Sequence, residues 1–263
     1  MLRRLAVTAI ILSCSIAGGW AQSPSAPSGP APGNPVTKKP DPKATAAAKP
    51  AAAVDSGPCQ IGVIPIAGNL FLIERFGLFK FNDSYQRVAV DGWALDDLVV
   101  SRVRAAMPGS SVRRIPFTKE ELVQFPRSLF SSADATAFAQ RVGARISCER
   151  YVVVHRHGGG KREYGIGISS YGPDKPAYLF AMMYIRVYDG RTFELIKEGR
   201  ASITDESLIA RAYLNPVGGP YRALDSAAFP DGPAHVAGNP VLRDGVRGLL
   251  TESLDKTLPA LLQ

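Results

Sequence analysis

The stretch HRHGGGKR at 155–162 is the part of the chain richest in residues that do chemistry. His155 and His157 stand two apart, and on a strand that spacing puts both imidazoles on one face, acceptable geometry for a metal ion. The remaining histidine, His235, lies far along the chain in a Gly/Pro-rich segment, and no Cys or evident carboxylate partner accompanies the pair. A metal- or small-ligand-binding protein using His155 and His157 is thus one reading. A solvated strand end followed by a glycine turn is the simpler one. A phosphate loop would need GxxxxGK followed by Ser or Thr at a helix start. Here Lys161 is followed by Arg162 and another extended run, so that motif fails.

Other candidates weigh similarly. GIGISSYG (165–172) has neither the spacing of a dinucleotide fingerprint nor that of a nucleophile elbow, because Tyr171 stands where the last glycine belongs. Its glycines mark a strand edge with a close approach or a bulge. Asp96 and Asp97 fall in the first turn of an expected helix, where the dipole favours negative charge. No Ser, His and Asp are arranged as a triad, so catalytic residues are expected to be none. An envelope hydrolase would need acidic residues to converge in three dimensions. In NLFLIERFGLFKF, Phe71, Phe76, Phe79 and Phe81 alternate with Arg75 and Lys80. That suits either peripheral membrane contact through Phe71, Phe76 and Phe79 or aromatics packed on a sheet. Within the Gly/Pro/Ala-rich segment 204–238, Tyr221, Arg222 and Phe229 are either partner-binding anchors or a cover buried on the sheet.

The elements that must position these residues follow from periodicity. IGVIPI (61–66) reads as a buried strand, and 70–90 as a hairpin turning at Asn82–Ser84. A helix capped by Asp91 puts Leu95, Leu98, Val99, Val103 and Ala106 on one face and ends at Pro108 and Gly109. VRRIPF (112–117) is a strand. Thr118 to Glu121 forms a capping box for a short helix that Pro126 disturbs, and a second helix covers 134–146. YVVVHRH (151–157) is a strand. The run 178–203 is a long hairpin about Asp189 and Gly190, and a final helix has Asn239 as cap and Pro240 as first residue. Right-handed crossovers put strand 61–66 between 112–117 and 151–157, with the hairpin extending the same sheet. The expected fold is mixed α/β: a single central mixed sheet, helices on both faces and a long C-terminal helix.

That strand order predicts a disulfide. Cys59 and Cys148 precede the two neighbouring strands, and strands lie about 4.8 Å apart, within the ~4.4–6.8 Å Cα range of a bridge. Two buried free thiols are the alternative.

The chain of 263 residues carries a formal charge of +8. Arg3 and Arg4, with an excess of two Lys over Asp in 22–56, account for half of it. What remains is too scattered for a nucleic-acid stripe. The start reads MLRR, an apolar run, then GGWAQ, the order of an export signal with its cut after Ala21; an uncleaved anchor is the alternative. Cys14 lies inside the apolar run, preceded by the bulky Leu12, which argues against lipidation. Residues 22–56 are a Pro-, Ala- and Lys-rich tether with too little apolar surface to fold. The mildly basic tether is either a plain spacer or a contact for anionic envelope polymer. Residues 57–263 are then one domain, periplasmic or secreted.

The succession of IGVIPI, ALDDLVVSRVRAAM, VRRIPF, helices, YVVVHRH and the VYDGRTFEL hairpin over residues 60–205 resembles a family of bacterial envelope proteins. These are periplasmic domains of the curli-secretion and penicillin-binding-protein activator lipoprotein type and of the Tol translocation protein's amino-terminal type. The hairpin from Val187 to Thr192 carries the VxDxxT-like signature. The chain departs from the pattern at Cys14 and in 204–238. The resemblance implies an envelope interaction or assembly module with an envelope protein or anionic polymer as partner. It brings no active site to carry over, and no cofactor and no nucleic-acid partner are expected.

Overall fold

A computed structural model of the chain describes residues 58–76, 84–123, 132–156, 158–159, 162–163, 165–170, 177–203 and 220–263. The described residues all fall in the unit Ala53–Gln263. The leader, the tether, the turn at 82–83, Phe79, Phe81 and His157 lie outside them.

The apolar run after Cys59 forms strand β1 (Cys59–Ile66), whose residues from Ile61 on are all buried. It lies parallel to both β4 (Val112–Arg114) and β5 (Cys148–Arg156), as the crossovers through α1 (Leu95–Ala106), α2 (Lys119–Val123) and α3 (Ser132–Gly143) require. β10 (Met183–Asp189) and β11 (Leu195–Arg200) complete this sheet in the order β11-β10-β5-β1-β4. Cys59 and Cys148 are register partners in β1 and β5 and are bridged, with Cα atoms 4.5 Å apart. Gly62 leaves the room this corner needs: a Cβ there would come within 2.7 Å of the Tyr151 ring and 3.0 Å of Cys148 Sγ.

The expectation of a single central sheet is corrected. A second five-stranded sheet is built from β2 (Leu70–Arg75), β3 (Ser84–Ala89), β8 (Ile166–Ser170), β9 (Ala177–Ala181) and β12 (Tyr221–Leu224), in the order β12-β9-β8-β2-β3. A small ribbon of β6 (Gly158–Gly159) and β7 (Arg162–Glu163) stands apart from both. Two bends carry the chain from one sheet to the other. Gly68, at φ +89°, turns the chain out of β1 into β2. Met182 separates β9 from β10, so the run expected to form one arm of a hairpin serves both sheets. Strands that change sheet through a bend are the ordinary way corners are made. Periodicity could not show this, because Leu179, Ala181, Met183, Ile185 and Val187 stay in one core on both sides of the bend.

Helix α4 (Pro240–Leu262) explains that continuity. Its stripe of Leu242, Val246, Leu249, Leu250, Leu254 and Leu258 is fully buried and joins α1 and residues of both sheets in one cluster. Asn239 caps it as expected, accepting from the Val241 and Leu242 N–H groups. The other face of the first sheet packs on α3 through Ile64, Phe138, Val142 and Val153. No described helix is long and apolar enough to cross a membrane.

Two further expectations change. Asp91 does not cap α1; it heads a single 3-10 turn (Asp91–Trp93), and α1 begins after Ala94, at φ +49° with no side-chain cap. Gly167 lies in the central strand of the second sheet, not at an edge. The described part of 204–238 supplies strand β12 and two short 3-10 turns.

Candidate functional site

Between the end of β1 and the start of α1 lies a cleft of about 230 Å³. Trp93 anchors the 3-10 turn that brings Asp91 to it. The indole is buried against Phe71, with ring centroids 5.2 Å apart, and its Nε1–H donates to Ala237 O at 2.9 Å. With Trp93 inward, Asp91 is left at the rim. Its carboxylate accepts from Asn69 Nδ2 and Lys119 Nζ, each at 2.8 Å. Those bonds hold the Asp91 carboxyl below its ordinary value.

Asp96 and Asp97 reach the same cleft from the first turn of α1. Asp96 accepts the Ala67 N–H at 3.1 Å, tying the helix start to the end of β1, and stands 3.5 Å from Arg114. Asp97 pairs with Arg114 as well. Burial pushes the Asp96 carboxyl up, against the pull of the Arg114 guanidinium and the Ala67 N–H. Ile66, Leu95 and Phe117 are among the cleft's apolar lining, and Phe117 is itself braced edge-on against Phe138 at 5.5 Å.

Three carboxylates therefore meet at one cleft with two cations, Arg114 and Lys119. Asp96 and Asp97 do face the helix dipole as the sequence suggested, but their meeting with Asp91, Arg114 and Lys119 depends on the β1–α1 corner and has no local signature. The one legible signal was adjacent: the capping box, in which Thr118 N–H donates to Glu121 Oε2 at 2.8 Å, sets where Lys119 starts α2. Among the described residues no group of three or more His, Cys, Asp or Glu side chains is placed to hold a metal ion.

The residues singled out in sequence fall elsewhere. His155 is buried in β5, its Nδ1 2.8 Å from Arg156 O and its ring beside Tyr184; His157 lies outside the described residues. Phe71 is in the core, which removes it from any membrane patch. Phe76 meets Tyr85 edge-on, and Phe79 is outside the described residues. Tyr221 is half-buried beside Tyr178, and Arg222 pairs with Glu252 at 2.7 Å. Phe229 packs on the core under the Arg75 guanidinium, 4.6 Å away.

No protein-family model matches the chain, and no curated protein matches it in sequence. Solved structures similar to it include the PelC dodecamer from Paraburkholderia phytofirmans, at 9% identity and TM-score 0.30, over 75% of this chain and 86% of that one. Protein XCC0632 from Xanthomonas campestris, of the DUF330 family, gives 8% identity and TM-score 0.39 over 81% and 90%. The LpoB C-terminal domain from Salmonella enterica gives 9% and 0.23 over 56% and 84%. These neighbours include the penicillin-binding-protein activator lipoprotein type to which the sequence was likened, and the chain resembles them at the level of part of its course alone.

Proposed function

We propose that the chain is an exported, non-catalytic interaction module of the bacterial envelope, and that it takes a protein partner at the cleft beside α1. The observation that carries the reading is the bridge between the register partners Cys59 and Cys148. Bridges of this kind persist in oxidising compartments, where the leader would send the chain. The cleft's lining fits docking. Each carboxylate is engaged in an ion pair or backbone bond, while the apolar lining offers a seat for a partner side chain. With three carboxylates against two cations the cleft suits a protein carrying a basic anchor better than an anionic polymer.

A second reading rests on one observation. Asp91 is held down and Asp96 pushed up on the same cleft, and carboxyls displaced in opposite directions are what an acid–base pair requires. Hydrolysis of an envelope polymer that survives Asp97→Asn but disappears with both Asp91→Asn and Asp96→Asn would favour this reading.

The test of the first reading is a photo-crosslinking side chain installed at Lys119, on the cleft rim, and separately at Arg191, in the exposed turn after β10. An identified envelope protein captured from Lys119 and not from Arg191 is expected. Equal capture from both positions, or capture of cytoplasmic proteins only, would overturn it.

A further inference from the structure

We propose that the β10–β11 turn is a gate over the Cys59–Cys148 bridge: while Phe193 is seated on Tyr151 no thiol reaches the sulfurs, and reduction waits on the turn lifting away. The two cysteines open β1 and β5, at strand ends, where fraying would ordinarily expose them. They are nonetheless buried. The Tyr151 ring covers them, for it and Cys148 Sγ flank the point where Gly62 would carry a Cβ. Three backbone groups hold that ring. Its hydroxyl lies 2.9 and 2.7 Å from Gly143 O and Ile146 O and accepts from the Cys148 N–H at 3.3 Å.

The turn is built to press on this cover. Asp189 Oδ1 accepts from the N–H groups of Arg191 and Thr192, at 2.8 and 2.9 Å, and from the Thr192 hydroxyl at 3.2 Å. The tight loop leaves Phe193 at φ +57°, a left-handed conformation that is strained for a bulky side chain. What the strain secures is a ring laid flat on Tyr151, with centroids 4.9 Å apart and planes 11° apart. Gly143 makes room for the pair, since a Cβ there would fall 2.9 Å from the Phe193 ring and 3.1 Å from Tyr151. Gly190 seats the other end of the turn. Its N–H donates to Glu149 O at 2.8 Å, and a Cβ on it would collide with Cys148 O. The turn thus touches a bridged residue through its backbone and the bridge's cover through its ring. Arg191, Thr192 and Glu194 are exposed, so the turn can lift without unpacking α4 from the core.

The step behind the gate is thiol–disulfide exchange. A thiolate of a dithiol reductant attacks one sulfur, the S–S bond breaks, and the other cysteine departs as a thiolate that takes a proton. The reductant's second thiol gives up its proton and displaces the cysteine to which the first is bound. The reductant ends as a disulfide and both cysteines as thiols. Dithiothreitol on the folded full chain tests the gate, with alkylation at intervals and peptide mapping of Cys59 and Cys148. The wild-type bridge should be reduced far more slowly than in the urea-unfolded chain. Phe193→Ala should speed reduction of the folded chain by at least about tenfold, because closing then no longer gains the stacked pair. Phe193→Tyr, which keeps a ring on Tyr151, should stay near wild type. Thr192→Ala loosens the turn and should act in the same direction, which keeps the test standing if Phe193→Ala fails to fold. Asn239→Ala weakens α4 instead and should leave the rate within about twofold of wild type, since a local opening does not pass through α4. A wild-type bridge reduced as fast as in the unfolded chain, turn variants at the wild-type rate, or Asn239→Ala matching Phe193→Ala would each overturn the proposal.

Discussion

Replacing Gly167 with alanine interrogates the second sheet at its centre. Gly167 lies in β8, opposite Leu72 on one side and Phe180 on the other. A Cβ there would fall 2.4 Å from Leu72 O and 2.5 Å from Phe180 Cζ. The Phe180 ring could turn away, but the Leu72 carbonyl is ladder backbone and can move only with its strand. Overpacking of this kind costs roughly 1–3 kcal/mol. With about 2–4 °C of Tm per kcal/mol for a chain of this size, the expected loss is on the order of 2–12 °C. Calorimetry or thermal circular dichroism measures it. Phe180→Leu in the same chain should recover part of the loss, because the ring contact goes while the carbonyl contact stays. Gly92→Ala is the control: nothing lies within 4 Å of its Cβ position, so it should stay within about 0.5 kcal/mol of wild type. If Gly167→Ala and Gly92→Ala melt alike, β8 does not lie between β2 and β9, and the division into two sheets fails.

Reducing the Cys59–Cys148 bridge frees a loop with a sequence separation of 89, which the chain-entropy relation values at about 4–5 kcal/mol, an upper figure against the usual ~2–4; a urea midpoint unmoved by reductant would contradict it. Asn239→Ala removes the acceptor for two N–H groups at the start of α4 and should cost about 1 kcal/mol in the same assay; no loss would mean the cap is not made. Burial should make Asp96 titrate above an ordinary aspartate in carboxyl-carbon NMR, and Arg114→Ala should raise it further, since Arg114 is the largest of the influences that pull it down. Because its folded value is raised, the folded state binds this proton first. Its contribution to stability therefore improves as pH falls through the folded value toward the unfolded one and is lost above it; an Asp96 signal below the ordinary value would refute this.

Elements with a local cause were legible in the sequence. The α4 stripe, its Asn239 cap and the Thr118–Glu121 capping box each rest on residues within a turn or two of one another, and the structure has them. The β5-β1-β4 order followed from crossover handedness, and with it the pairing of Cys59 and Cys148. What escaped depends on distant neighbours. The bend at Met182 is invisible because the buried alternation runs through it unbroken. The burial of Phe71 comes from Trp93 and the core beyond it. The cleft escaped for the same reason: Asn69, Asp91, Asp96, Arg114 and Lys119 come from the β1–β2 turn, the 3-10 turn, α1, β4 and α2, which meet only after β1, α1 and β4 have packed.

Alkylating the chain inside growing cells, before and after reduction, tests export and strand pairing together. Cys59 and Cys148 should both be protected from the reagent until reductant is added, and peptide mapping should find them joined to each other. Two thiols that react at once in the unreduced, denatured protein would contradict both the oxidising compartment and the β1–β5 register.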